Sequence, residues 1–248
     1  MGIKAVTARM ERTAVRLAGW LGWHDRQGGL TRQVPAALWR AGGWDAGRAG
    51  RPAGQPSRLR SFDPARVARL EYRAWVAYYR HDWHRALTAF VGLIRMGFGM
   101  NWYRTLHAAW LVLRAIQLWA PLPDNDADGA RTHMRRFYTL VRLSHGEPAS
   151  PATAAEFEID WWRVHRQVQY STAPGDSDEL VESVTRLYCY LFGEPEIRVR
   201  PAAVYRVRAM GLSDQWVREG CLLDSPLLPL VRGALVGAYA ALLAAVHH

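Results

Sequence analysis

Apolar residues recur along this chain at intervals of three and four, in blocks closed by glycine, proline and capping residues. That spacing belongs to helices that bury one face. The longest stripe is Tyr72, Val76, Tyr79, Trp83, Leu87, Phe90 and Ile94. It predicts one long helix that starts at Asp63-Pro64, bends near His81–His84 and ends at Gly97 and Gly99. Asp63 is a natural N-cap and Pro64 suits the first helical position. Asn101 opens a second helix through Leu106, Trp110, Leu113 and Gln117, stopped by Pro121 and Pro123. A third follows Asp124-Asn125-Asp126, with Met134, Phe137 and Val141 inward and Gly146 at its end.

Ser150-Pro151 starts a fourth helix, which runs to about Tyr170. Leu180, Val184, Leu187 and Leu191 mark a fifth over 178–192. Arg200-Pro201 opens a sixth, to Gly220, and Ser225-Pro226 a seventh, with Leu235, Tyr239 and Leu242 inward. No stretch alternates polar and apolar residues as a half-buried strand does. The expectation is an all-α protein: a single bundle of about seven helices over residues 61–248.

Composition changes the picture mainly at the N-terminus. Residues 1–60 hold 11 Lys/Arg against 3 Asp/Glu, a balance of +8, whereas 61–248 hold 21 against 19, only +2. Ile3, Val6, Met10, Leu17 and Leu21, with Lys4, Arg9, Arg12 and Arg16 around them, predict a short basic amphipathic helix within 3–22. Residues 27–60 are rich in glycine and proline, the composition of a linker, with a brief helix over 35–44. Residues 1–60 therefore read as a basic arm on a nearly neutral body. Lys4 is the single lysine among 32 basic residues, a bias expected from codon usage in a high-GC bacterial genome, with an arginine surface selected for phosphate binding as the alternative. Cys189 and Cys221 do not make a disulfide framework. The apolar runs Leu106–Pro121 and Leu227–Val246 are interrupted by Arg114 and Arg232 and fall short of a confident membrane span. A cytoplasmic protein, membrane-peripheral at most through its arm, is expected.

The densest chemistry lies in Ala155–Arg166. Phe157, Trp161, Val164 and Val168 predict a core stripe, and Glu158, Trp162, His165 and Gln169 run beside it. Glu71, Trp75, Tyr78 and Asp82 form a similar line in the first helix. Asp214 follows Ala203, Val207 and Met210 at helical spacing, so it falls on a buried face and needs an arginine or histidine partner, with Arg73, Arg114 and Arg163 as the arginine candidates. The candidate site residues are thus Glu71, Glu158, His165 and Asp214. His165 is the acid–base group if chemistry follows binding, and Glu158 the group that orients it. They predict a buried, aromatic-walled pocket for a small apolar ligand or a cofactor of unassigned kind.

No metal is assigned. Di-iron bundles need Glu-x-x-His, which is lacking, and His81-x-x-His84 has no evident third ligand. Asp124–Asp128 resembles the aspartate-rich segments of all-helical isoprenoid synthases, but it follows two prolines and reads as helix capping. Walker, dinucleotide and nucleophile-elbow motifs are absent. The alternative function is that of a non-enzymatic interaction protein whose residues 1–22 engage an anionic membrane or a protein partner. Sequence-specific nucleic-acid binding is not expected, because the body has no basic helix with a polar reading face.

Overall fold

The computed structural model describes residues 57–121, 123–170 and 177–247. The arm helices expected at 3–22 and 35–44 lie outside the described residues. The rest is all-α, with eight helices among the described residues. They are α1 (Pro64–Tyr79), α2 (Trp83–Phe98), α3 (Trp102–Trp119), α4 (Ala127–His145), α5 (Pro151–Tyr170), α6 (Ser177–Phe192), α7 (Glu196–Arg218) and α8 (Leu227–Val246).

The caps fall where the polar residues before each apolar run place them. Asp63, Asp82, Asn101 and Asp126 each accept a hydrogen bond from the backbone N–H three residues on, at 2.7 to 3.2 Å. Asp82 explains the extra helix. The single long helix expected over 64–96 is two helices, because His81 adopts φ 60° and Asp82 then caps a new first turn. A β-carbon is strained at that φ, so the break is a corner and not a bend. Pro201, expected to open its helix, lies inside α7, which begins at Glu196. Its ring removes the bond to the carbonyl of Ile197, an exposed residue where water can take the bond's place.

Each helix packs on its neighbours in sequence, and α8 closes the series by packing on both α7 and α1. Short connections make successive helices antiparallel, so α1, α3, α5 and α7 end on the same side of a closed ring. The principal core joins α3 to α7 with the end of α8, through Leu111, Met134, Phe137, Val164, Val184 and Val199 among others. A second cluster joins Ala68, Ala209 and Leu235 from α1, α7 and α8. By length and hydropathy α8 is the one described helix suited to cross a membrane. Core helices meet the same requirement, and its Val231, Leu235, Leu242 and Val246 are buried against the bundle.

Ser57–Arg60 belong to this packing although their composition is that of the arm. Leu59 is buried. Arg60 binds Glu147 at 2.6 Å and Glu194 at 3.1 Å and donates to the carbonyl of Phe192. It thereby ties the chain entering α1 to the α4–α5 connection and to the end of α6.

Candidate functional site

The buried face of α1 carries Val67, Ala68, Glu71, Ala74 and Ala77. Small residues admit α2 and α8 closely, and Glu71 is enclosed at 4% exposure. Its oxygens receive a two-pronged bond from Arg206 of α7, at 2.7 and 3.1 Å, and the hydroxyl of Tyr239 of α8 at 2.7 Å. Burial alone would lower the Arg206 pKa, but Glu71, with Tyr188 and Tyr239, holds it well above its usual value. Tyr239 is pushed well up by burial and then by Glu71, so its phenol stays a neutral donor. Glu71 thus sits in a buried ion pair.

Glu158 of α5 accepts from the hydroxyl of Tyr138 on α4 at 2.6 Å and from the indole Nε1 of Trp162, one turn on, at 3.1 Å. Burial raises its pKa; Tyr138, Arg206 and the indoles of Trp161 and Trp162 offset part of that rise. A carboxyl whose folded pKa is raised favours the folded state at low pH, and the advantage is lost as pH climbs through the folded value. Glu158→Gln keeps an acceptor and removes the charge. Its stability relative to wild type is therefore expected to improve as pH rises from the ordinary carboxylate range toward neutrality, measured by paired melting curves across pH. A constant difference would show that Glu158 keeps its ordinary pKa.

His165, half-buried at 18% side-chain exposure, reaches Asp214 of α7, at 5%, through Nε2···Oδ2 at 3.0 Å. Gln169, one turn further along α5, donates to the other oxygen of Asp214 at 2.8 Å. Asp214 is thus answered by an imidazole and an amide. Arg114 bonds Gln117, Arg163 bonds Asp160 and Gln167, and Arg73 is exposed, so none of the three arginines serves. Glu158 does not orient His165. It is committed to Tyr138 and Trp162, and the two-turn separation places its carboxyl in a different polar set.

The four residues therefore enter three hydrogen-bonded sets. The indole of Trp161 lies between them: Arg206 sits over its ring at 5.8 Å and the His165 ring is 6.4 Å away. Trp161, expected on the core stripe, is only partly buried, and Trp162 takes the core position. Phe157 and Val168 are likewise only partly buried, while Ala155 and Ile159 are enclosed. The stripe is rotated because α5 packs on α4 and α6 while Glu158 faces the bundle interior.

Further polar groups lie at the C-terminal ends of α1, α3 and α5. Arg166 donates to the carbonyl of Trp119, the last residue of α3, at 2.6 Å, and lies over that indole at 4.4 Å. Burial lowers its pKa. Among the described residues no carboxylate pairs with it and its buried Nη1 makes no hydrogen bond. Nδ1 of His165 likewise makes none among the described residues. Tyr79 is close enough to Asp214 for the carboxylate to add to the rise that burial imposes on its phenol.

Sequence reasoning missed Arg206 and Tyr138, and it placed Tyr239 inward without its bond to Glu71. Arg206 precedes the buried Val207, and such adjacency to a core position was the available signal. Surface concavities among the described residues include one between α1 and α2 and one lined by Phe157, Arg186 and Tyr190; neither is lined by the four residues. Among the described residues no group of three His, Cys, Asp or Glu side chains is placed to hold a metal ion. Comparison of the chain with protein-family models, curated proteins and solved structures finds no match.

Proposed function

We propose that the bundle binds a small, largely apolar molecule at the end where α1, α3, α5 and α7 terminate, and that His165 exchanges a proton with it. The observation that carries this reading is the geometry of the dyad. A buried carboxylate fixes one imidazole nitrogen, the other nitrogen has no partner among the described residues, and the ring keeps partial access to solvent. A carboxylate bound to one nitrogen sets the tautomer and supports positive charge on the ring, which a general base requires. Trp161 and Trp119 supply apolar walls. Arg166, without a carboxylate partner among the described residues, supplies a charge for a carbonyl or carboxylate on the ligand.

The test is titration of the protein, by amide-detected NMR, with a panel of small aromatic and aliphatic carboxylates. Shift changes are expected to concentrate on Trp161, His165, Arg166 and Gln169. His165→Gln can still donate to Asp214, so it should stay within about 1 kcal/mol of wild type while losing those changes. His165→Ala is the poorer probe, since it leaves the buried Asp214 with only Gln169. Shift changes scattered over the surface, or unaltered in His165→Gln, would sink the proposal.

A further inference from the structure

The groove between α1 and α2 is a basic, apolar-floored concavity on the body itself. Arg66, Arg69 and Arg73 fall at i, i+3 and i+7 on α1 and are exposed in one row. Arg95 faces them from α2, its guanidinium over the ring of Trp102 at 4.4 Å and donating to the carbonyl of Met100 at 2.7 Å. The concavity measures about 450 Å3 and is floored by Leu70, Gly92 and Met96. A β-carbon at position 92 would stand 2.9 Å from Leu70, so the glycine lets the two helices approach closely there. No carboxylate lines the groove, and none of its four arginines forms an ion pair among the described residues. At its rim the first turns of α3 expose Trp102 at 59%, Tyr103 at 52% and Leu106 at 55%; Trp102 and Leu106 share a face at i, i+4.

Like charges in a row repel and destabilise a helix unless an anion lies against them. Exposed indole, phenol and leucine beside them are costly in water but suit the boundary between lipid headgroups and acyl chains. The geometry points to an anionic membrane surface as the occupant of this groove, with a lipid phosphate among Arg66, Arg69, Arg73 and Arg95 and with Trp102 and Leu106 inserted in the interface. A single-stranded nucleic acid fits less well. It binds by stacking bases on several open aromatic faces, whereas one face of Trp102 lies under Arg95 and the floor is aliphatic.

The test is co-sedimentation of the full chain with phosphatidylglycerol/phosphatidylcholine vesicles and with pure phosphatidylcholine vesicles, beside titrations with inorganic phosphate and a single-stranded oligonucleotide. Three groove substitutions, Arg66→Gln, Arg69→Gln and Arg73→Gln together, are compared with a charge-matched control, Arg135→Gln, Arg142→Gln and Arg232→Gln, at exposed sites elsewhere. Each guanidinium brought to an anionic surface contributes about fivefold in binding. The groove variant should lose on the order of a hundredfold and the control less than a tenth of that loss. Trp102→Ala should weaken binding at high salt, where the charge contribution is screened. Melting curves on all variants exclude unfolding as the cause. Equal losses in the two triple variants would overturn the proposal and place any membrane contact on the arm. So would failure of the wild type to bind anionic vesicles, or loss of phosphate or oligonucleotide binding in the groove variant with vesicle binding unchanged.

Discussion

Arg206→Ala is expected to cost about 3–5 kcal/mol of folding stability, the range for breaking one side of a buried ion pair. The loss arises less from the missing attraction than from what is left behind. Glu71 remains at 4% exposure with only the hydroxyl of Tyr239 to answer its charge. The Arg206 guanidinium also acts on Glu158, whose pKa it pulls down, so its removal raises the cost of that carboxylate as well. Urea unfolding of the variant at neutral pH measures the effect. Replacing both partners with apolar residues of similar volume, Glu71→Leu with Arg206→Met, should recover most of the loss, because the pair's desolvation cost disappears with its attraction. A single variant within about 1 kcal/mol of wild type would mean that water reaches the pair.

The second large effect is expected at Trp162. Its ring is 9% exposed and meets Trp119 at 5.9 Å and 60°, and its Nε1 supports Glu158. Trp162→Ala should cost about 3–5 kcal/mol, the range for deleting a large aromatic from a packed core, and it also takes a donor from a half-buried carboxylate. Trp161→Ala should cost distinctly less, since that ring is only partly buried. Its consequence should instead be felt at His165 and Arg206, which its ring separates. Melting both variants side by side decides the order. If Trp161→Ala proves the more damaging, the rotation of α5 described above is wrong.

These two indoles show how far the candidate site was legible in the residues. The sequence places Trp161 and Trp162 on a helix, beside a histidine and a carboxylate, with Asp214 on a buried face. It cannot say which indole faces the core. Adjacent residues on a helix point about 100° apart, and α5 has neighbours on both flanks, so apolar residues occur on more than one side. The same limit applies to Asp214. A buried carboxylate demands an arginine or histidine partner, but which one depends on the crossing of α5 and α7, which brings His165 and Gln169 and none of the three candidate arginines.

The all-α architecture, the caps at Asp63, Asn101 and Asp126, and the glycine ends at Gly99 and Gly146 were set by the chain itself. Each depends on residues within a few positions of one another, and such short-range preferences survive any packing that follows. The corner at His81, the start of α7 ahead of Pro201, the return of α8 to α1, and the pairings Arg206–Glu71, Tyr138–Glu158 and His165–Asp214 were decided by the tertiary structure. The last three join residues 135, 20 and 49 positions apart. Their energies come from desolvation and from the geometry of facing helices, quantities that exist only after the ring has closed.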